Sequence, residues 1–419
     1  MLKRLHLLLA LFILTVNAAM AQITTSGISG KITSDGENVI GATVTATHQP
    51  SGTVYRAVTN IDGRYTIQGM RPGGPYKVDI SYIGYKDKVI KNLNLSLGET
   101  ENISCSLQED AHQLQEVVVS GKAGLAASRT GAATSMTAEQ INNMPSITHG
   151  IADVARLNPQ LTVTNSGNMS FAGVNNRYNN FMIDGAANND VFGLASSGNN
   201  GGQAGAQPVS METIEQIQVS VAPFDVRQSG FTGGAINAIT KSGTNQFHGS
   251  AYYYGYNQDL IGTKYPYLDG TGYAPKYQKQ TQYNMGVTLG GPIIKNKLFF
   301  FANYERTNKE YPNLYGVDSG NSKVNTEQAK DILTMLQKIA EKQGVNFNDY
   351  YSNQDIYTKS DKAGLKLDWN INEFNKFAIR WSLVKAEQLS GGGSASSLNS
   401  YCYSYPFKSN TNSFIAELQ

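Results

Sequence analysis

The chain of 419 residues is longer than one ordinary core, so more than one domain is expected. Charged residues make up 16% of it, below the roughly 25% typical of soluble domains, while glycine supplies 42 residues and tyrosine 24. A formal net charge of +2, with no basic face and no acidic tail, gives no reason to expect a nucleic-acid partner. Five scattered histidines provide neither a catalytic triad nor a metal cluster, so we expect no enzyme, no cofactor and no catalytic or metal-binding residues.

Residues 1–21 have the parts of a secretory signal peptide. Two basic residues, Lys3 and Arg4, precede an apolar run over residues 7–16, and a small-residue cleavage site follows. The run is shorter than the roughly 20 residues that cross a bilayer, which argues against a membrane anchor. The mature chain is expected to begin at Gln22. The remainder contains no continuous apolar segment of spanning length, so any membrane insertion is expected as a closed β-barrel.

Residues 22–108 alternate short β-forming runs with turn signals, which predicts a small all-β sandwich. The strands are expected at residues 28–32, 42–47, 53–59, 65–67 and 76–82, with turns at Asp62-Gly63 and at Pro72-Gly73-Gly74-Pro75. In the last strand Tyr76, Val78 and Ile80 alternate with polar residues, which is the period of a strand packed on one side.

A polar linker over residues 109–121 ends in a run of valines. In a flexible setting such a run has unpaired backbone donors and acceptors, so it can add itself as a strand to the sheet edge of another protein. The candidate binding segment consists of Leu114, Gln115, Glu116, Val117, Val118 and Val119. Alternatively, the valines form the first strand of the domain that follows, and the two roles can alternate in time.

Residues 122–243 mix helical and strand patterns, which indicates an α+β domain. Thr137, with Gln140 three residues later, predicts a capped helix over residues 137–143. A second short helix is expected at residues 151–157, and strands are expected at residues 161–164, 170–173, 181–183 and 214–221.

Residues 211–240 read as strand, kink, glycine hinge and strand. Apolar residues from Ile214 to Val221 form the first strand, Pro223 stops it, and glycines at 230, 233 and 234 allow close backbone approach before residues 235–240 extend again. We predict a compact β-hairpin.

Residues 186–207 are rich in asparagine, glycine, glutamine and serine and nearly free of charge, which predicts a loop. Its amides can bind a neutral polar ligand, and the candidate ligand-binding residues are Asn188, Asn189, Asn199, Asn200, Gln203 and Gln207. The alternative is a solvated connector without a binding role. Asp184 and Asp190 lack the spacing of a calcium-binding loop, so no metal is expected there.

Residues 244–419 contain long alternating strands separated by unequal loops. Six are expected, at residues 247–256, 283–289, 298–305, 362–369, 377–383 and 412–418. Their alternation predicts one face toward lipid and one toward a wet lumen, in strands of about 9 to 11 residues. Residues 371–373 are expected as a short turn, and residues 306–359 as the longest loop, with a helix over residues 326–343. A soluble β-sandwich would also alternate and is the alternative for this half.

Several of these stretches resemble TonB-dependent outer-membrane receptors. Residues 214–219, Pro223 and residues 233–240 are similar to the end of the family's plug domain, and residues 181–185 to its Leu-Ile-Asp-Gly signature. Residues 114–119 resemble the TonB box, the segment that TonB captures. Motifs within residues 22–108 are similar to the carboxypeptidase-regulatory-like domain that precedes many Bacteroidetes receptors, and motifs between residues 207 and 250 resemble the Oar-like branch.

The resemblance implies a mainly β chain: a small β-sandwich, then an α+β plug domain over residues 122–243, then the first strands of a transmembrane β-barrel over residues 244–419. Family barrels have more than six strands, so the chain is expected to stop inside the barrel at Gln419. Cys105 and Cys402 then lie in different compartments of the envelope, and no disulfide is expected between them.

The resemblance also implies the function of a receptor that takes up a ligand too large for porins, energised through TonB in the periplasm. The implied partners are TonB, outer-membrane lipid and an external ligand such as a peptide or a glycan. A Leu-Lys-Asp-Ala-Ser plug segment is absent, which argues against a lipoprotein lid. The alternative is a secreted or surface-attached adhesive or structural β-protein without transport.

Overall fold

The structure is a computed structural model that describes residues 23–109, 117–120, 132–144, 146, 149–164, 169–190, 192–193, 195, 197–221, 230–260, 279–313, 326–344, 355–390 and 404–419. The expected signal peptide, the residues Leu114, Gln115 and Glu116, the kink at Pro223, and Cys402 lie outside these ranges.

The first unit is a β-sandwich, as predicted. Its strands are β1 Ser26–Ser34, β2 Glu37–Asn38, β3 Thr43–His48, β4 Thr53–Val58, β5 Arg64–Met70, β6 Gly73–Ser81, β7 Lys88–Leu95, β8 Thr100–Asn102, β9 Cys105–Ser106 and β10 Val117–Ser120. One sheet has the order β2-β1-β5 with β8 and β9 also paired to β1, and the other has the order β10-β7-β6-β3-β4. Tyr76, Val78 and Ile80 lie in the core between the sheets, which confirms the predicted alternation.

Two features of the sandwich differ from the prediction. Gly73 and Gly74 belong to strand β6 rather than to a turn, because the backbone continues to pair with β7 through two register shifts. Strands β2, β7, β8 and β9 were not predicted. In β7 those shifts break the strict alternation of buried and exposed residues that would have marked it as a strand.

Strand β10 holds the predicted valines. It pairs in parallel with β7, with Val118 opposite Val89. Val117, Val118 and Val119 are therefore neither an unpaired linker nor a strand of the following domain in this structure: they extend a sheet of the sandwich.

The second unit is the predicted α+β domain. Its elements are β11 Ala132–Thr137, α1 Ala138–Asn143, α2 Ile151–Ala155, β12 Leu161–Val163, β13 Met169–Phe171, β14 Asn180–Ile183, β15 Ala186–Ala187, β16 Ile214–Val221 and β17 Gly234–Thr240. The main sheet has the order β11-β16-β17-β14-β15, and β12 pairs with β13 separately. Strand β14 runs parallel to β17, and the other neighbours in the main sheet are antiparallel.

Local sequence signals place two parts of this unit. Thr137 and Gln140 form a reciprocal capping box at the start of α1, as predicted. Strands β16 and β17 form the predicted antiparallel hairpin. Gly234 is required there because a Cβ atom at this position would overlap the ring of Phe171.

The third unit is a six-stranded antiparallel sheet, called the wall below. Its strands are β18 His248–Asn257, β19 Thr281–Ile294, β20 Leu298–Pro312, β21 Asp355–Asn370, β22 Lys376–Ser390 and β23 Tyr405–Leu418, and each pairs only with its neighbours in sequence. Helix α3, Thr326–Lys342, lies between β20 and β21, close to its predicted position. Among the helices that the structure describes, none combines the length and the apolar composition of a membrane-spanning helix.

The six predicted strands are present, but most are longer than expected. They run from 10 residues in β18 to 16 in β21, so the loop predicted over residues 306–359 is shortened at both ends. Some of the extra residues are polar, as in the Thr-Asn-Lys-Glu stretch of β20, where polar composition alone suggested a loop.

The apolar residues of the wall lie on its exposed face and the polar residues on its buried face, which is the reverse of a soluble β-sandwich. Leu365 and Trp369 are exposed on one face, whereas Lys362, Asp368 and Arg380 are buried on the other, against the first two units. A soluble sandwich buries its apolar face, since that burial drives its folding. An exposed apolar face with a buried polar face is the pattern of a wall between lipid and a polar lumen.

Candidate functional site

The α+β unit is fastened to the wall at Asp184, which follows β14. Asp184 and Gly185 both have positive φ angles, 45° and 75°, and this tight turn points the carboxylate toward the wall. Its Oδ1 accepts a hydrogen bond from the backbone N–H of Thr240 at 2.8 Å, and its Oδ2 accepts one from the Thr240 hydroxyl at 2.7 Å. The turn is thereby tied to the end of β17.

Two cations of the wall complete this group. The Nη1 atom of Arg380 lies 3.1 Å from Oδ2 of Asp184, and Nζ of Lys366 lies 3.7 Å from Oδ1. Burial alone would raise the pKa of Asp184, but the charges of Lys366 and Arg380 and the hydrogen bonds from Thr240 outweigh it and hold the pKa below the ordinary value. These four residues, Asp184, Thr240, Lys366 and Arg380, are called the plug clasp below.

A second buried polar group lies where the loop of residues 186–207 leads into β16. The carboxylate of Glu305 in β20 accepts hydrogen bonds from the Ser210 hydroxyl at 2.6 Å and from the Tyr252 hydroxyl at 2.7 Å. Nζ of Lys362 lies 2.5 Å from its other oxygen. The buried negative charge of Glu305 is thus balanced by the positive charge of Lys362 and by two hydrogen bonds, as a buried charge requires.

The loop of residues 186–207 is seated on the wall. Ala204 and Ala206 pack with Val384 and Ala386 of β22, and the ring of Phe407 in β23 adjoins them. This end of the loop is therefore packed against the wall.

Two of the six candidate ligand-binding residues shape the loop itself. The side chain of Asn189 accepts a hydrogen bond from the N–H of Phe181 and donates one to Asn180. Asn199 is 7% exposed, forms an isolated bridge with Asn189, and accepts a hydrogen bond from the hydroxyl of Ser197.

A cavity of about 330 Å³ lies between this loop and the wall. Asn199 and Gln207 line it, together with Lys309 and Thr358 of the wall. Asn188, Asn189, Asn200 and Gln203 do not. Lys309 stands near the end of β20 that leads into the long loop, far from the short turn at Asn296, so this cavity opens toward the side of the long loops.

The charged residues that fasten the unit to the wall were not predicted. Glu305, Lys366 and Arg380 are separated from their partners by 95 to 196 residues, so no local pattern reveals the pairing. The available signal was their position on the polar face of the predicted strands. Within the described part of the chain, no group of three or more His, Cys, Asp or Glu residues could hold a metal ion.

A small mixed sheet fastened by buried ion pairs to the polar face of a wall with an exposed apolar face defines a plug-and-barrel outer-membrane receptor. Three family models match the chain: a carboxypeptidase regulatory-like domain at residues 27–108, a TonB-dependent receptor plug domain at residues 126–236, and an outer membrane β-barrel domain at residues 239–319.

Among curated proteins, the chain is similar to the TonB-dependent transporter Oar of Myxococcus xanthus, with 29% identity over 62% of this chain and 24% of the relative. It is also 25% identical to the probable TonB-dependent siderophore receptor PirA of Acinetobacter baumannii, over 41% of this chain and 22% of that protein. The outer membrane transporter YddB of Escherichia coli aligns with a TM-score of 0.48 and 13% identity, covering 68% of this chain and 36% of that one.

The chain belongs to the TonB-dependent outer-membrane receptors, which confirms the predicted family and the outer-membrane location. Members of this family are receptors and transporters rather than enzymes. The chain spans about a quarter of the length of the curated relatives it matches. The alternative of an adhesive or structural β-protein is not favoured. The matched domains are those of receptors, and the wall exposes its apolar face.

Proposed function

We propose that the protein takes up an external ligand too large for passive porins and that TonB supplies the energy. The observation that carries this proposal is the plug clasp. Separating Asp184 from Arg380 and Lys366 leaves buried charges unpaired, which costs about 3–5 kcal/mol. A cost of this size opposes movement of the plug, and mechanical work from TonB would offset it.

The energy enters at the proposed TonB box, Leu114, Gln115, Glu116, Val117, Val118 and Val119. Strand addition by TonB uses main-chain hydrogen bonds, and Val117, Val118 and Val119 already pair with a strand of the sandwich through their backbone. Strand β10 is the edge strand of its sheet, and an edge strand presents backbone groups to which another strand can be added. We assign the residues before it, 22–108, to the regulatory-like domain, residues 109–121 to the linker and residues 122–243 to the plug.

The ligand proposal concerns the cavity beside the loop of residues 186–207. Amides at Asn199 and Gln207 and the hydroxyl of Thr358 offer hydrogen bonds to a ligand. Five charged side chains also line the cavity: Asp153 pairs with Arg156 and Glu305 pairs with Lys362, whereas Lys309 adds one positive charge. A peptide or a glycan with polar neutral groups suits this lining. Because one relative is a probable siderophore receptor, growth on ferric chelates is the competing outcome when a deletion strain is tested on peptides, glycans and iron sources.

The test of the proposed TonB box is Val118→Pro in the full-length receptor. Proline removes the backbone donor and fixes φ near −65°, so at least one ladder hydrogen bond, worth about 0.5 to 1.5 kcal/mol, is lost. We expect normal folding and ligand binding but no uptake. Val118→Ala is the matched control and should transport normally. Wild-type uptake by the proline variant would mean that TonB engages a different segment.

A further inference from the structure

The hairpin of β16 and β17 has two different faces. Ile217, Val219 and Ile236 point into the plug core. Gln216, Gln218 and Asn237 are no more than 6% exposed, yet they lie outside that core. Buried amides need hydrogen-bond partners, so the contacts of this amide face reveal what covers it.

The β-sandwich covers it. Gln216 accepts a hydrogen bond from the N–H of Leu97 at 2.8 Å and donates one to the carbonyl of Leu95 at 3.0 Å, so one side chain binds the backbone as a neighbouring strand would. Gln218 donates to the carbonyl of Leu97 at 2.9 Å, and Asn237 donates to that of Ile23 at 2.6 Å. The sandwich is therefore docked on the plug sheet itself.

The sandwich also reaches the base of the wall, where the short turns lie. Arg71 pairs with Asp368 at 3.2 Å, and the exposed Arg56 pairs with Glu373 at 2.6 Å. The carbonyl of Pro50 accepts a hydrogen bond from the N–H of Asn245 at 2.8 Å. The sandwich thus closes the plug from the side opposite the long loops.

The contacts of the sandwich with the plug and the wall are of a kind that can separate in water. Its contacts are mostly hydrogen bonds and ion pairs that water can replace, and its apolar part is a small cluster of Ile23, Leu97 and Ile239. Within the described chain, the amide oxygens of Gln218 and Asn237 find no hydrogen-bond donor. A cavity of about 160 Å³ also remains between sandwich, plug and wall. Hydration on separation would satisfy both amide oxygens.

We propose that the β-sandwich is a removable cap on the amide face of the plug, and that a pull on β10 removes it before the plug moves. This rests on the proposed function, since β10 is part of the segment assigned to TonB. Because β10 pairs with β7, tension on β10 passes into the sheet of the sandwich, whose loop at Leu97 contacts Gln216 and Gln218. The clasp, which holds only plug to wall, remains closed during this first step.

Thiol labelling in cells tests the cap without knowledge of the ligand. The full-length receptor carries Cys105→Ser and Cys402→Ser together with Gln218→Cys, and a membrane-impermeant maleimide that passes porins is the probe. We expect labelling to rise about tenfold when TonB is energised, relative to cells treated with a protonophore. Asn237→Cys, on the same face, gives a second reporter if Gln218→Cys folds poorly.

The neighbouring position supplies the matched control. Ile217→Cys lies one residue away but faces the plug core, so it should stay unlabelled in both conditions. Ile83→Cys, on the exposed surface of the sandwich, should be labelled in both. Equal labelling of Gln218→Cys with and without energised TonB would overturn the cap, as would equal gains at positions 217 and 218.

A disulfide between Val118→Cys and a cysteine in TonB reports the proposed function separately. If the disulfide with TonB forms and Gln218→Cys remains unlabelled, TonB binds the segment and only the cap inference fails. If that bond does not form, the assignment of the TonB box fails, and the cap inference with it.

Discussion

Arg380 of the wall donates a hydrogen bond to Asp184 of the plug at 3.1 Å, although 196 residues separate them in the chain. Both side chains are about nine-tenths buried, and Lys366 approaches the same carboxylate. The single carboxylate of Asp184 thus balances two buried positive charges, and the position of the plug depends on this carboxylate.

The variant Asp184→Asn should loosen the plug. It keeps the shape of the side chain but removes the negative charge, which leaves Arg380 and Lys366 without a counter-ion and costs about 3–5 kcal/mol. We expect faster trypsin cleavage of the plug in the purified full-length receptor. Asp361→Asn is the control, because its ion pair with Arg306 is exposed and worth at most about 1 kcal/mol. Equal cleavage rates in the two variants would contradict the clasp.

The length of the sandwich can be tested by comparing two fragments, residues 22–108 and residues 22–121. Both should fold as soluble β monomers, because the core of the two sheets lies within residues 22–108. Only the longer fragment contains β10, which covers the edge of β7. We expect it to melt about 4–8 °C higher, corresponding to about 1 kcal/mol. Circular dichroism measures both melts. Identical melting temperatures would mean that β10 adds nothing, and a random-coil spectrum would reject an independent domain.

The stability of the sandwich should fall as the pH drops below 6.5. Burial, together with the charge of Arg71, lowers the pKa of His48 from 6.5 to about 3. Between these values the unfolded chain binds a proton that the folded chain does not, so stability is complete above pH 6.5 and is lost toward pH 3. The slope for this one group is at most about 1.4 kcal/mol per pH unit.

The measurement for His48 is the melting temperature of the sandwich within the full-length receptor from pH 7.5 to 5.5, with His48→Gln as the comparison. The variant should be less stable at pH 7.5, because the ring of His48 packs 4.9 Å from that of Tyr76 and its Nδ1 bonds Ser51 at 2.7 Å. Its stability should nevertheless vary less with pH. Parallel curves for the two proteins would assign the pH dependence to other groups.

The sequence predicts those parts of the fold that repeat a local rule. Alternation over many residues located the six wall strands, and a four-residue box located helix α1. Strand β11 was missed because Ala-Ala-Thr-Ser-Met-Thr is nearly featureless and becomes a strand only by pairing with β16. Pairing between distant segments is invisible to a local pattern.

The candidate site was predictable in outline and not in detail. The composition of residues 186–207 marked a polar loop, but it did not distinguish Asn189, whose amide bonds the first residues of β14, from Gln207, which lines the cavity. Asp184 was recognised as part of the Leu-Ile-Asp-Gly signature, and a calcium-binding role was rejected for it, but its ion pairs were not predicted. Its partners on β21 and β22 become visible once the wall is folded around the plug.

The order of the wall strands bears on assembly. Each strand pairs only with its neighbours in sequence, so the wall can grow one hairpin at a time from contacts of short sequence separation, which form fastest. The partners of Asp184 lie on the fourth and fifth of these strands. The plug clasp therefore cannot close until five wall strands are in place, and until then the charged side chains of Lys366 and Arg380 have to stay hydrated.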